Sequence, residues 1–166
     1  TTCFIGGPRT NRQEVLTFGG ETPPFVPADA PAVVAFPRAA AGVAPSTQNR
    51  YLATIEQVGT TYGVAPQESQ NRLYVGAFGR RHADTGPGGN GAIYALDSGG
   101  GGVLDTFIIP GAGNTAHGID ATNPANNGLI EGWIRDSNWY DRVGKEALGD
   151  VDINPAGTIL WTVSLN

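Results

Sequence analysis

The feature that most constrains the fold of this chain is a repeat of two short segments joined by a polar turn. In the first copy, Gly63-Val64-Ala65 precedes a polar turn and then residues 72–78, Arg-Leu-Tyr-Val-Gly-Ala-Phe. In the second copy, Asp150-Val151-Asp152 precedes Asn-Pro-Ala-Gly and residues 159–165, with Leu160 in the place of Leu73. The repeat predicts that one unit, a small-residue strand followed by a stronger aromatic strand, is built twice.

Such a pair is typical of the first two strands of a β-propeller blade, because the inner strands converge on the axis and need small side chains. Residues 91–97 and 102–110 supply a third and a fourth strand, and residues 32–36 and 51–58 are predicted as the outer strands of a preceding blade. The predicted fold is therefore all-β: a β-propeller fragment of about two blades of four-stranded antiparallel sheet plus the start of another. The ring is incomplete.

The predicted organisation is a single partial propeller over residues 1–166. It divides into a partial blade (1–58), a complete blade (59–110), an insertion loop (111–147) and the first hairpin of the next blade (148–166). A further short strand is predicted at residues 15–18, and a helical turn is predicted only within residues 137–148, which Gly144 weakens.

Composition and charge limit the kinds of partner that this chain can bind. The net charge is −5 and only 15% of residues are charged, so no basic stripe is available for nucleic acid or an anionic membrane surface. No window approaches the ~18 apolar residues of a membrane span. Cys3 is the single cysteine, which excludes a disulfide within the chain. Because the chain starts with Thr1 and not with methionine, we expect a processed or excised segment.

An incomplete ring has physical consequences. Propellers close with four to eight blades, and an open stack leaves unpaired strand edges and an apolar face between blades. We therefore expect that other protein chains, or the missing remainder of the propeller, complete the ring. The chain is then not an independent folding unit.

Several motifs together resemble the propeller region of large secreted bacterial surface proteins that carry Cna-B-like or serine-aspartate-type repeat modules. The resemblance covers roughly residues 51–166, and its motifs are Tyr62-Gly63-Val64-Ala65, Asn71-Arg72-Leu73-Tyr74-Val75-Gly76-Ala77-Phe78, Arg81-His82, Gly86-Pro87-Gly88-Gly89, Trp133-Ile134-Arg135-Asp136-Ser137, Tyr140-Asp141 and Leu148-Gly149-Asp150-Val151-Asp152-Ile153. It implies a secreted, multidomain protein, located extracellularly or at the cell surface after removal of a signal peptide. It implies no established catalytic activity for this region.

Four aspartates are candidate calcium ligands: Asp136, Asp141, Asp150 and Asp152. Calcium takes several oxygen ligands, and Asp150 and Asp152 share one face of a strand. The favoured alternative is that Arg135, Arg142 or Lys145 pairs with these carboxylates, or that they accept bonds from backbone amides. We expect no cofactor, with calcium as the alternative.

The candidate ligand or partner surface consists of Trp139, Tyr140, His82 and His117. Trp139 and Tyr140 lie in the insertion and could stack on sugars or protein, whereas Trp161 is predicted as core between blades. The two histidines lack metal-ligand spacing and are interpreted as structural or solvated.

No catalytic residue is predicted, because no nucleophile motif such as Gly-x-Ser-x-Gly occurs in the sequence. The leading hypothesis is a non-catalytic structural or interaction module of an extracellular or cell-surface protein assembly. One alternative is a carbohydrate-binding or carbohydrate-cleaving propeller, with glycan as the partner. The second alternative is a calcium-stabilised adhesin module.

Overall fold

The computed structural model describes residues 29, 31–36, 50–81, 85–116, 129–130, 133–134 and 136–166. Strands dominate these residues, and one four-residue helix, α1 (Ile55–Val58), accompanies them. The strands are β1 (Pro31–Ala35), β2 (Arg50–Thr54), β3 (Thr61–Gln67), β4 (Arg72–Ala77), β5 (Ala92–Asp97), β6 (Val103–Ile108), β7 (Leu129–Ile130), β8 (Trp133–Ile134), β9 (Leu148–Ile153) and β10 (Leu160–Ser164).

The centre of the fold is a four-stranded antiparallel sheet in the order β3-β4-β5-β6. Leu73 of β4 pairs with Leu96 of β5, and Ile93 of β5 pairs with Phe107 of β6. The four strands predicted within residues 59–110 are therefore present and adjacent in sequence order. We call this the central sheet.

Both faces of the central sheet carry apolar side chains, because β5 alternates with a period of two and is buried on both sides. Tyr94 and Leu96 belong to one hydrophobic cluster, and Ile93 and Ala95 belong to a second. The side of Tyr94 is the first face below, and the side of Ile93 is the second face.

The hairpin of β1 and β2 covers part of the first face. Its buried residues Val33 and Leu52 join the cluster that contains Tyr94, as do Ile55 and Val58 of α1. Full burial of such side chains stabilises the fold by about 1.5–3 kcal/mol each, so this contact firmly attaches the hairpin to the sheet.

The hairpin of β9 and β10 covers the second face. Leu148 and Val151 of β9 pack with Ala65 and Tyr74 of the central sheet. The three sheets therefore lie face to face, as a hairpin, a four-stranded sheet and a second hairpin. All of these sheets are antiparallel and none of them closes on itself.

The strand predicted over residues 51–58 is correct only in its first half, since the chain turns into α1 after Thr54. The backbone N–H of Thr54 donates to Oε1 of Gln57 over 3.0 Å, which caps the start of the helix. Gly59 ends α1 with a φ of 62° and donates its N–H to the Ile55 carbonyl. Local capping therefore overrides the alternating pattern.

The helical turn predicted within residues 137–148 is reduced to a single 3₁₀ turn at Ser137–Trp139, followed by non-helical turns. Gly144 has a φ of 75°, which is incompatible with a continuing helix. The strand predicted at residues 15–18 lies outside the described residues.

Candidate functional site

The most distinctive surface of the molecule is the outer face of the β9–β10 hairpin, on the side away from the central sheet. Trp161 is 52% exposed and Val163 is 59% exposed. Asp152 lies directly opposite Trp161 in the hairpin register, so it belongs to the same face. We call Trp161, Val163 and Asp152 the outer patch. The burial predicted for Trp161 is not observed in this chain.

A second open apolar surface lies on the first face, along β3. The exposed side chains of Val64 and Pro66 lie on this face, because their partners in the ladder, Val75 and Leu73, belong to the first-face cluster. The ladder bulges between Thr61 and Val64, and the exposed Tyr62 ring packs against Phe78, with ring centroids 5.2 Å apart. We call Val64 and Pro66 the β3 row.

The contact between β3 and β9 shows how tightly two sheets of this chain approach each other. A Cβ added at Gly63 would collide with the backbone nitrogen of Val151, and one added at Gly76 would lie 2.7 Å from Cγ2 of Val151. Val151 therefore packs against bare backbone, and glycine is required at both positions for this approach.

The structure does not assemble the four calcium candidates into a site. Asp136 is fully buried, whereas Asp150 and Asp152 are exposed on β9 and Asp141 is exposed in a turn. Among the described residues, no group of three or more His, Cys, Asp or Glu side chains could hold a metal ion.

Three of these aspartates instead form an ion pair or accept hydrogen bonds from backbone amides, which is the favoured alternative to a calcium site. Asp141 lies 3.5 Å from Nε of Arg142 in an exposed ion pair. Asp150 accepts a hydrogen bond from the N–H of Val151, and Asp152 accepts one from the N–H of Ile153.

The structure separates the two aromatic candidates of the insertion. Trp139 is fully buried, and its Nε1–H donates to the Thr115 carbonyl over 3.1 Å. The Trp139 ring therefore offers no open stacking surface in this structure, because it covers the backbone at Gly79, where an added Cβ would collide with it. Tyr140 is 74% exposed, and the Arg81 guanidinium lies 5.0 Å from its ring centroid.

His82 and His117, the other two candidates for a ligand or partner surface, lie outside the described residues. Since Asp136 and Trp139 are both buried, they do not line an open surface together with Tyr140. A carbohydrate pocket that Asp136 and Trp139 would line together with Tyr140 is therefore not formed.

Glu146 is a buried carboxylate that was not among the candidates predicted from the sequence. Its Oε2 accepts hydrogen bonds from the Thr115 N–H (3.0 Å) and from Nδ2 of Asn90 (3.3 Å). Its Oε1 accepts from the Thr115 hydroxyl (2.6 Å) and from Nη1 of Arg142 (3.3 Å). No local pattern marks Glu146, because Asn90 and Thr115 reach it from distant loops.

The environment of Glu146 favours its charged form. Burial by itself would raise the pKa of the carboxyl group. The hydrogen bonds from Thr115, with help from the charge of Arg142, outweigh that effect, and the pKa of Glu146 lies below its ordinary value of 4.5. Glu146 thus joins the loops around residues 90, 115 and 142 as an anionic hydrogen-bond acceptor.

No family model, curated protein or solved structure matches this chain. No helix among the described residues has the length and apolar character that crossing a membrane requires.

Proposed function

We propose that this chain is a non-catalytic structural module of an extracellular or cell-surface protein assembly. In this proposal, the three stacked sheets are neighbouring blades of a β-propeller, and other protein surface completes the ring. The sequence repeat supports the proposal because its two copies, β3–β4 and β9–β10, pack face to face.

The observation that carries the proposal is the pair of open apolar surfaces on opposite sides of the stack. The outer patch and the β3 row expose aromatic and branched side chains on strands whose other sides are buried. Apolar surface of this kind marks interaction sites in soluble proteins. A stack that continues in both directions would cover both surfaces.

The proposed location follows from the resemblance to secreted bacterial surface proteins. The low content of charged residues, 15%, agrees with a protein that is mostly covered by other protein rather than by water. Glycan and calcium are not needed as partners in this proposal, because assembly rests on sheet-to-sheet packing.

The proposal can be tested by sedimentation velocity of the full chain over a hundredfold range of concentration, combined with thermal unfolding. We expect the sedimenting mass to rise with concentration, since exposed sheet faces associate. A species that stays monomeric at every concentration and unfolds cooperatively would contradict the proposal, because such a molecule needs no covering surface.

A further inference from the structure

The two hairpins that flank the central sheet correspond to its two halves. Through the sequence repeat, β9–β10 corresponds to β3–β4, with Leu160 in the place of Leu73. The remaining hairpin, β1–β2, is assigned to the outer pair β5–β6, since its buried residues pack on Tyr94 and Leu96 of β5. In the central sheet, β4 pairs with β5. The strand that corresponds to β4 is β10, and the strand that corresponds to β5 is β1.

Both of these corresponding strands have an edge without a partner strand among the described residues, because β10 pairs with β9 and β1 pairs with β2. The Asn154 N–H donates to the Ile159 carbonyl over 3.0 Å. By the alternation of an antiparallel ladder, the backbone groups of Leu160 and Thr162 then point away from β9. These groups are positioned to bond a further strand.

The side chains of the two edges favour pairing. Neither β1 nor β10 contains a charged residue, whereas the edge strand β6 carries Asp105. Charged residues are a common protection of exposed edges, and an uncharged apolar edge pairs readily with another strand. The two uncharged edges are therefore the best candidates to meet.

The exposure of side chains on the sheet faces supports the same pairing. Val64 in the first repeat copy aligns with Val151 in the second copy. Val151 is 3% exposed because it packs on Gly63 and Gly76, whereas Val64 is 37% exposed. Val64 therefore lacks the covering sheet that its counterpart has.

We propose that β10 pairs in antiparallel fashion with β1 of a second copy of this chain. The result is a mixed four-stranded sheet in the order β9-β10-β1-β2, with the last two strands from the second copy. The outer patch of the first copy then covers the β3 row of the second copy. This inference rests on the proposed function and names its partner.

The geometry is consistent with a ring. The β9–β10 hairpin packs on the second face of one copy, and the β1–β2 hairpin packs on the first face of the next, so the mixed sheet lies between two central sheets. The described strands of each copy thus contribute two sheets to the stack. A ring of four to eight such sheets takes about two to four copies of this chain through one head-to-tail interface.

Native mass spectrometry of the full chain tests the stoichiometry, and sedimentation equilibrium gives the association constant. We expect one discrete species at two, three or four times the monomer mass of 17.2 kDa. Thr162→Pro removes an N–H from the free edge of β10, and Val163→Lys places a charge in the outer patch. Each should weaken association by roughly tenfold or more.

Two further variants keep the test independent of folding defects. Val143→Lys is the matched control, because Val143 is exposed in a turn outside the outer patch, and it should associate as the wild type does. Asp152→Ala restores the residue that the first repeat copy has at this position, Ala65, and removes a carboxylate that the interface would desolvate. It should tighten association by roughly tenfold.

The outcomes separate this inference from the proposed function. A discrete oligomer that Thr162→Pro and Val163→Lys dissociate and Asp152→Ala strengthens supports both. Association without a fixed stoichiometry, or a discrete oligomer that these variants leave unchanged, overturns the pairing of β10 with β1 of a second copy while the proposed function stands. A cooperatively folded monomer overturns both.

Discussion

At the scale of single residues, Glu146 makes the stability of this chain depend on pH. Its pKa is lowered in the folded state, so its contribution is fully present above the ordinary value of 4.5 and is lost as pH falls through the lower folded value. We expect the free energy of unfolding to fall below pH 4.5 as this carboxylate is protonated. Urea titrations between pH 3 and pH 7 measure this.

The variant Glu146→Gln isolates this effect. The amide has nearly the same shape, but its NH₂ group faces the donors Thr115 and Arg142, so we expect a loss of about 1–3 kcal/mol at pH 7. The difference from the wild type should shrink at pH 3. A difference that is independent of pH would show that Glu146 acts through shape alone.

A second residue-scale prediction concerns Gly63, where the backbones of β3 and β9 nearly touch. Gly63→Ala adds a Cβ that collides with the backbone of Val151, which cannot move without displacing β9. We expect a loss of about 1–3 kcal/mol in the free energy of unfolding, measured in urea. Gly149→Ala is the control, because its added Cβ would meet neighbours at an ordinary 3.5 Å.

At the scale of elements, a buried hydrogen-bond chain ties the central sheet to the turn between β9 and β10. The Tyr74 hydroxyl donates to Oε1 of Gln67 over 2.9 Å, and Nε2 of Gln67 donates to the Gly157 carbonyl over 3.2 Å. Tyr74→Phe leaves the Gln67 oxygen without this donor. We expect a loss of about 1–2 kcal/mol.

The measurement for Tyr74→Phe is the urea midpoint, with hydrogen exchange of β9 and β10 as the local readout. Exchange should accelerate in this hairpin more than in β5, since the removed bond supports the attachment of the hairpin. Tyr62→Phe serves as the control because Tyr62 is exposed. Equal effects of the two variants would count against a connecting role for Gln67.

The elements also show what sequence can predict. The positions of β4, β5 and β6 follow from strand-forming runs between polar or glycine-rich turns, because strand length and alternation are local properties. Helix α1 was missed because a cap formed by Thr54 and Gln57 interrupts an alternating run. The burial of Trp139 and of Glu146 could not be predicted from local patterns, because it depends on loops far away in sequence.

At the scale of the whole molecule, the stack of sheets leaves apolar side chains exposed on two sides. Among the described residues, the first face of the central sheet is only partly covered, since the β3 row is exposed there, and the outer patch forms the free side of the β9–β10 hairpin. The repeat predicts that one pair of strands is built twice, and the structure packs these two pairs, β3–β4 and β9–β10, face to face. It could not predict the exposure of Trp161, since that depends on what lies beyond β10.

The central claim is that the sheet of β9 and β10 is half of a blade that other protein completes. The most direct measurement is an experimental structure of the assembled protein, in which the strands of that sheet are counted. The account predicts four antiparallel strands, with a strand hydrogen-bonded to the backbone of Thr162 and the Trp161 ring covered. A well-folded particle in which β9 and β10 remain a two-stranded hairpin, with Trp161 in solvent, would contradict it.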